Sequence, residues 1–235
     1  MATLRHRVIP LCNICGGVEF EPGPSDRLAP DGGPPRCIRC GSLERHRGLR
    51  RALMLIPPPL FAWRRALQFA PDSSLEGSWF EQLETSKYER ENSIDLAKPI
   101  DRPDKSYDLI SLSLVMEFVP DDRAAFDELL RIGSDDLILH MTFTSDLSDP
   151  ETWHRDHAEG VYPTYHGYGR DFAQWFGAEE RGLSTLVFRI PDPLTGDTTH
   201  PFIFFFRRRN DAETFVAAFE PAPYVSIESY EPVPD

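Results

Sequence analysis

KSYDLISLSLVMEFVPDDRAAFDELLRI, residues 105–132, places a strand, a loop and a helix in immediate succession. Asp104-Lys105-Ser106 is a turn-forming lead-in. Tyr107 to Val115 is dense in apolar and β-tolerant residues, the pattern of a strand covered on both faces. Pro120-Asp121-Asp122 then offers an aspartate able to cap a helix start. Ala124, Ala125, Phe126, Leu129, Leu130 and Ile132 recur behind it at helical spacing. Strand, acid-bearing loop (Glu117) and helix form half of a βαβ unit. In open α/β sheets ligands sit at the carboxyl ends of the strands, so a functional site is expected around Ser113 to Pro120.

The rest of the composition fits one substantial core with a small appended module in 235 residues. No apolar run approaches the roughly 18 residues a membrane span needs. The densest, Phe202 to Phe206, reads as a central sheet strand, with Arg207, Arg208 and Arg209 as gatekeepers against aggregation. The amino terminus, MATLRHRVIP, lacks the apolar centre of a secretory signal, and four cysteines in two tight pairs suit a cytoplasmic protein. Residues 1–65 hold 11 Lys/Arg against 5 Asp/Glu, while the remainder holds 14 against 33. An acidic body argues against general nucleic-acid binding, although the basic head has the sign to meet an anionic partner.

Cys12-Asn13-Ile14-Cys15-Gly16 is answered by Cys37-Ile38-Arg39-Cys40-Gly41. Two CxxC pairs at this separation match a structural Zn²⁺ site with Cys12, Cys15, Cys37 and Cys40 as ligands. Two thiolates separated by two residues reach one metal from a tight turn, and the following glycine accepts the positive φ that the turn demands. The intervening segment is rich in Pro and Gly and cannot build a core, so metal binding would supply its folding energy. Disulfides or a redox CxxC fit less well, because nothing suggests secretion and neither pair lies in a thioredoxin-like βαβ pattern.

Ser42 is a candidate N-cap, with Arg45 at N3, for a helix reaching about Ile56 along Leu49, Ala52, Leu53 and Ile56. Several of Arg45, His46, Arg47, Arg50 and Arg51 on it are expected to brace the ribbon against the acidic body, with anion binding as the alternative reading. Pro57-Pro58-Pro59 ends the helix and marks a module boundary. Arg65 to Pro71 reads as the first strand of the body, Leu75 to Leu83 as a helix, and Tyr88 to Asp95 as a weaker strand ending in an acid. Gly133 to Asp136 reads as a turn, Leu137 to Phe143 as a strand, and Asp171 to Phe176 as a short helix. Thr185 to Ile190 and Pro201 to Arg207, separated by a turn, read as an antiparallel pair. The expected units are residues 1–56 (ribbon and helix), 60–219 (α/β domain) and 220–235 (an extended tail).

This order resembles the class I S-adenosylmethionine-dependent methyltransferases, and in particular a bacterial group that carries an N-terminal zinc ribbon. The residues that carry the likeness are the two CxxCG knuckles with SLERHR, the FAP turn after the first strand, SYDLI…VMEFVPDDRAAFDELLRI, and Tyr168-Gly169-Arg170-Asp171. The resemblance implies a Rossmann-like methyltransferase sheet with a closing antiparallel hairpin. It also implies that Phe69, Ala70, Pro71, Asp95, Ser113, Leu114 and Met116 border S-adenosylmethionine, with Glu117 at the mouth of the active site. Departures from the group are visible: FAPDSSLEG has no glycine before Gly77, and Phe118 stands where histidine is common.

Trp153 to Asp171 is long, aromatic and poor in core residues, as expected of a lid over the carboxyl edge of the sheet. Tyr165, His166 and Tyr168 would shape an acceptor pocket there, with His166 as candidate base. His154 and His157 read as solvated, and His140 as a hydrogen-bonded core histidine. The expected activity is methyl transfer to a small-molecule acceptor. The alternative is a non-catalytic adaptor that binds a protein or nucleic acid through the ribbon and its basic helix.

Overall fold

The computed structural model describes residues 10–88, 90, 93–159, 164–198 and 200–230. In chain order the strands are β1 (Phe20–Glu21), β2 (Arg36–Cys37), β3 (Arg65–Phe69), β4 (Gln82–Ser86), β5 (Tyr107–Ser113), β6 (Gly133–Thr142), β7 (Trp153–Glu159), β8 (Thr164–Gly167), β9 (Ser184–Arg189), β10 (Phe202–Phe206) and β11 (Ser226–Tyr230). The α-helices are α1 (Glu44–Leu53), α2 (Asp122–Ile132), α3 (Phe172–Trp175) and α4 (Arg209–Phe219).

Seven strands form one sheet in the order β11-β9-β10-β6-β5-β3-β4. β4, β3, β5 and β6 run parallel, and β10 lies antiparallel between β6 and β9. This is the expected Rossmann-like sheet with its closing antiparallel pair. From β3 the chain steps outward to β4 and then returns to β3's other side as β5, so strand order reverses between β3 and β5.

Side-chain alternation sorts the sheet into two cores. Leu67, Phe69, Ile110, Leu112, Leu139, Met141, Ile203 and Phe205 face α2 and α3. Ala66, Leu109, Ile138, Phe202, Phe204 and Phe206 face α1 and α4. Both faces are covered, which is why β5 and β10 read as nearly unbroken apolar runs. α2 begins as expected, with the Asp121 side chain accepting from the Ala124 N–H at 3.0 Å. Its last turn is capped from elsewhere: the Arg207 guanidinium donates to the carbonyls of Leu130, Gly133 and Ser134.

Several elements depart from the sequence expectation. The helix over 75–83 is absent; a 3-10 turn at Gly77–Trp79 leads directly into β4. α1 from the amino-terminal segment covers that face instead, packing with Leu75 and Phe80 of the connection. Tyr88 to Asp95 is correspondingly not a strand among its described residues. The turn expected at 133–136 lies inside β6, where pairing jumps from Tyr107–Gly133 to Leu109–Ile138 and bulges the intervening residues. α4 adds a helix that was not foreseen, and within 220–235 the strand β11 joins the sheet edge against β9.

The boundary expected at Pro57–Pro59 does not separate two packed bodies. Leu49, Leu53 and Ile56 share one core with Ala66, Phe188 and Phe215. Arg47 is fully buried and bonds Asp192 through both carboxylate oxygens at 2.8 Å. Among the described residues, no helix is long and apolar enough to cross a membrane.

Candidate active site and metal centre

The ribbon is a two-stranded β1–β2 ladder carrying two cysteine knuckles. The Sγ atoms of Cys12, Cys15, Cys37 and Cys40 all lie within 4.8 Å of one another. Cys12–Cys40 are 3.8 Å apart and Cys15–Cys37 3.5 Å. A disulfide needs about 2.05 Å between sulfurs. Tetrahedral ligation at about 2.3 Å per bond places sulfurs about 3.8 Å apart, so the four thiols fit a metal ion and not a pair of bridges. Gly16 and Gly41, each directly after a knuckle's second cysteine, have φ of +71° and +72°. A Cβ at Gly17 would sit 3.0 Å from the Cys37 sulfur, so the centre also requires a bare backbone there. Four protein thiolates complete the tetrahedron and leave no open position, which makes a metal here structural.

The cleft lies where the strand order reverses. Its walls come from the carboxyl ends of three parallel strands and the residues just beyond them: Phe69 and Ala70 at β3, Ser86 and Tyr88 at β4, Leu114 and Val115 after β5. It encloses about 500 Å³ and is mostly apolar, within the range of small-molecule sites. Ala70 and Leu114, on opposite walls, hold φ of +45° and +54°. Such conformations cost a non-glycine residue of order 1–3 kcal/mol and persist where surrounding structure enforces them, often at ligand sites. The enforcing bonds are Ala70 N–H to Ser86 carbonyl and Leu114 N–H to Thr142 carbonyl, both 2.9 Å.

Asp95 supplies the cleft's acid. Lys98 at 2.8 Å and the Ala97 N–H at 3.0 Å hold its carboxyl below the usual range, so it is ionised at neutral pH. It arrives on a loop and not at a strand's end. Ser86 Oγ anchors that loop by accepting from the Ile94 N–H at 2.8 Å.

Of the residues that the methyltransferase resemblance assigns to a cofactor, Phe69, Ala70, Asp95 and Leu114 meet in the cleft. Pro71, Ser113 and Met116 do not line it; Met116 is 1% exposed and belongs to the core. Glu117, expected at the mouth, is completely buried behind the wall. The 3-10 turn Met116–Phe118 rotates it inward and leaves Phe118 and Val119 as lining residues. The Thr144 N–H donates to Glu117 Oε1, and burial pushes the carboxyl up to about 7.

His166 and Tyr168 also lie behind the wall, at 2% and 1% exposure. His166 Nε2 is 3.0 Å from the Val119 carbonyl, so it must donate there, while Nδ1 is 3.5 Å from Asp122 Oδ2. Asp122 Oδ2 also accepts from Tyr168 Oη and Trp175 Nε1, each at 2.8 Å. Tyr168 stacks on Phe143 with ring centroids 4.0 Å apart, and burial raises its pKa well above the ordinary tyrosine range. This network clamps β8 to the Val119–Pro120 segment, leaving Tyr165 to reach the cleft from the β7–β8 hairpin. Tyr162, part of the expected lid, lies outside the described residues.

No periodicity marks Phe118 and Val119 as lining residues, because a 3-10 turn has neither strand nor helix parity. His140 is the expected core histidine: Nδ1 meets Ser111 Oγ at 2.9 Å and Nε2 meets Thr142 Oγ1 at 3.1 Å. His154 and His157 are exposed, and among the described residues only the four cysteines group as metal ligands.

No protein-family model matches the sequence, and no curated protein matches it. Solved structures of related shape include three methyltransferases. A phosphoethanolamine N-methyltransferase of Haemonchus contortus, bound to phosphoethanolamine and S-adenosylhomocysteine, has TM-score 0.46 and 12% identity, covering 77% of this chain and 48% of that one. The 1,6-didemethyltoxoflavin-N1-methyltransferase of Burkholderia thailandensis has TM-score 0.45 and 11% identity, covering 68% and 77%. An S-adenosylmethionine-dependent methyltransferase from Mesorhizobium loti has TM-score 0.44 and 9% identity, covering 66% and 95%. At these values the likeness carries no reading of substrate or activity.

Proposed function

We propose that the cleft binds S-adenosylmethionine and that the protein transfers its methyl group to a small-molecule acceptor, with Zn²⁺ holding the ribbon. The observation that carries this reading is a concave apolar cleft at the strand-order reversal, with one ionised carboxylate and two left-handed backbone positions on its walls.

In this reading Asp95 accepts hydrogen bonds from a hydroxyl or amino group of the nucleoside. Phe69 and Leu114 contact the apolar part, while the small side chain of Ala70 lets the backbone there approach the ligand. The cofactor, when bound, supplies an activated methyl group on a sulfonium. Displacement at that methyl is in-line, so the protein's share is alignment and exclusion of water. Tyr165 and Phe118 form the acceptor side of the wall. Glu117, His166 and Tyr168 act as positioning residues: they fix the 3-10 turn and β8 from behind, out of reach of the reacting atoms.

Asp95→Ala tests the assignment. It should weaken S-adenosylhomocysteine binding by roughly 1–3 kcal/mol, the scale of a hydrogen bond to a charged group left unmade, with unfolding stability unchanged. Undiminished binding by this variant would remove Asp95 from the site. A wild-type protein that binds neither S-adenosylmethionine nor its demethylated product would favour the adaptor reading.

A further inference from the structure

The turn that forms one wall of the cleft is held from outside, by the ribbon and its helix. Beyond Ala70, the chain folds around Asp72, whose Oδ1 accepts from the Ser74 N–H at 2.7 Å and from Gln68 Nε2 at 3.3 Å. The other Asp72 oxygen lies 3.4 Å from His46 Nε2 on α1. His46 is aimed there by its own Nδ1, which accepts from the Leu43 N–H at 3.1 Å. One turn further along α1, Arg50 donates to the Ser73 carbonyl at 2.8 Å and stacks over Trp79 at 4.6 Å. Ser73 Oγ donates to the carbonyl of Cys40 itself at 3.5 Å.

α1 is in turn fixed to the cysteine centre. Ser42 Oγ, just before it, lies 3.3 Å from Cys12 Sγ and 3.2 Å from Cys40 Sγ. Asn13, inside the first knuckle, donates to the Arg47 carbonyl at 3.0 Å, and Arg27 makes a bidentate pair with Glu44 at 2.8 Å. The ribbon has little apolar burial of its own, since Leu11, Val18, Leu28 and Ile38 are all at least half exposed. Its order therefore depends on metal ligation.

We propose that His46 and Arg50 are positioning residues that couple the four-cysteine centre to the cleft, so that metal and cleft ligand bind with positive linkage. The inference rests on the cleft being a ligand site. Ordering of the ribbon by metal sets α1's first turns. These turns hold Asp72 to Leu75, the turn that directly follows Ala70 on the cleft wall. By reciprocity, a ligand in the cleft must tighten metal binding by the same factor.

The test uses the full chain with one Zn²⁺, the same protein after treatment with a chelator, and metal-loaded Arg50→Ala and Arg50→Lys. Amide hydrogen exchange is read on peptides spanning 69–76, with β10 peptides as the control for global unfolding. Chelation should accelerate exchange at 69–76 while β10 stays protected. Arg50→Ala should do the same with metal content still one per chain, and Arg50→Lys should restore part of the protection. If chelation unfolds β10 as well, the metal-loaded Arg50→Ala protein decides. Exchange at 69–76 that is unchanged in that variant, or by chelation that leaves β10 folded, overturns the proposal. Calorimetric titration with S-adenosylhomocysteine should show affinity lower by about tenfold without metal, within the usual range of coupling factors. Equal affinity in both forms also overturns it. Absence of binding to either form would instead reject the methyl-transfer reading, while the exchange result still decides the coupling.

Discussion

Glu117 is the residue whose environment departs furthest from expectation. Its carboxyl is fully buried and accepts from the Thr144 N–H, and burial pushes its pKa up to about 7. The unfolded chain releases this proton near 4.5, so between the two values the folded state holds the extra proton. Stability from this group therefore falls as pH rises through that window and stays low above it. Its size is about 3 kcal/mol at 1.36 kcal/mol per pKa unit. Glu117→Gln should be more stable than wild type at pH 8 by about 2–3 kcal/mol and equal to it at pH 4. His46 and His140, lowered by burial to about 4 and 3, act in the opposite sense. The unfolded chain protonates them first below about 6.5, so they withdraw stability as pH falls. The variant should consequently show a steeper acid slope than wild type. Urea denaturation at pH 5, 6, 7 and 8 measures both effects; a pH-independent difference between the two proteins would refute the assignment.

Individual elements differ in how plainly the sequence announced them. β5 and α2 were legible because burial on both faces and a capped amphipathic helix each leave a strong periodic trace. Tyr168-Gly169-Arg170-Asp171 was legible as a motif, and the structure supplies its physics. Tyr168 bonds Asp122, a Cβ at Gly169 would collide with the Glu151 backbone, and Asp171 accepts from the Thr152 N–H and hydroxyl. β4 was not legible: QLETS is a half-exposed edge strand whose apolar content is low, and its pairing with β3 decides its conformation. α1 is legible as a helix from its apolar stripe, but the stripe does not say which core it faces; Leu49, Leu53 and Ile56 pack with Ala66, Phe188 and Phe215. Its tie to the body predicts a stability effect. Arg47 donates to both Asp192 oxygens and to the Pro35 and Ser42 carbonyls, all in the interior. Arg47→Met should therefore lose about 3–5 kcal/mol, since it strands a buried carboxylate. Arg47→Met combined with Asp192→Leu should lose less than the single variant. Thermal unfolding of the three proteins reads the difference, and a single variant within 1 kcal/mol of wild type would contradict a tightly seated pair.

At the scale of the whole molecule, the ribbon and α1 brace the sheet at the turn after β3 and at Asp192. The sequence showed the two chemistries separately, as cysteine spacing and as a βαβ half-unit. It gave no sign that Ser73 meets Cys40 or that His46 meets Asp72, because contacts between distant segments leave no local periodicity. The same limit applied to the cleft. In the sequence Asp95 looks like a strand-ending acid, whereas the fold delivers it on a loop anchored by Ser86. What unites these parts is the proposal that a methyl-donor cofactor sits in the cleft between β3 and β5. Co-crystallisation of the metal-loaded protein with S-adenosylhomocysteine tests this most directly. Ligand density is expected between Phe69–Ala70 and Leu114–Val115, with Asp95 in hydrogen-bond contact. Density at any other place on the molecule, or an empty cleft at saturating ligand, would contradict it.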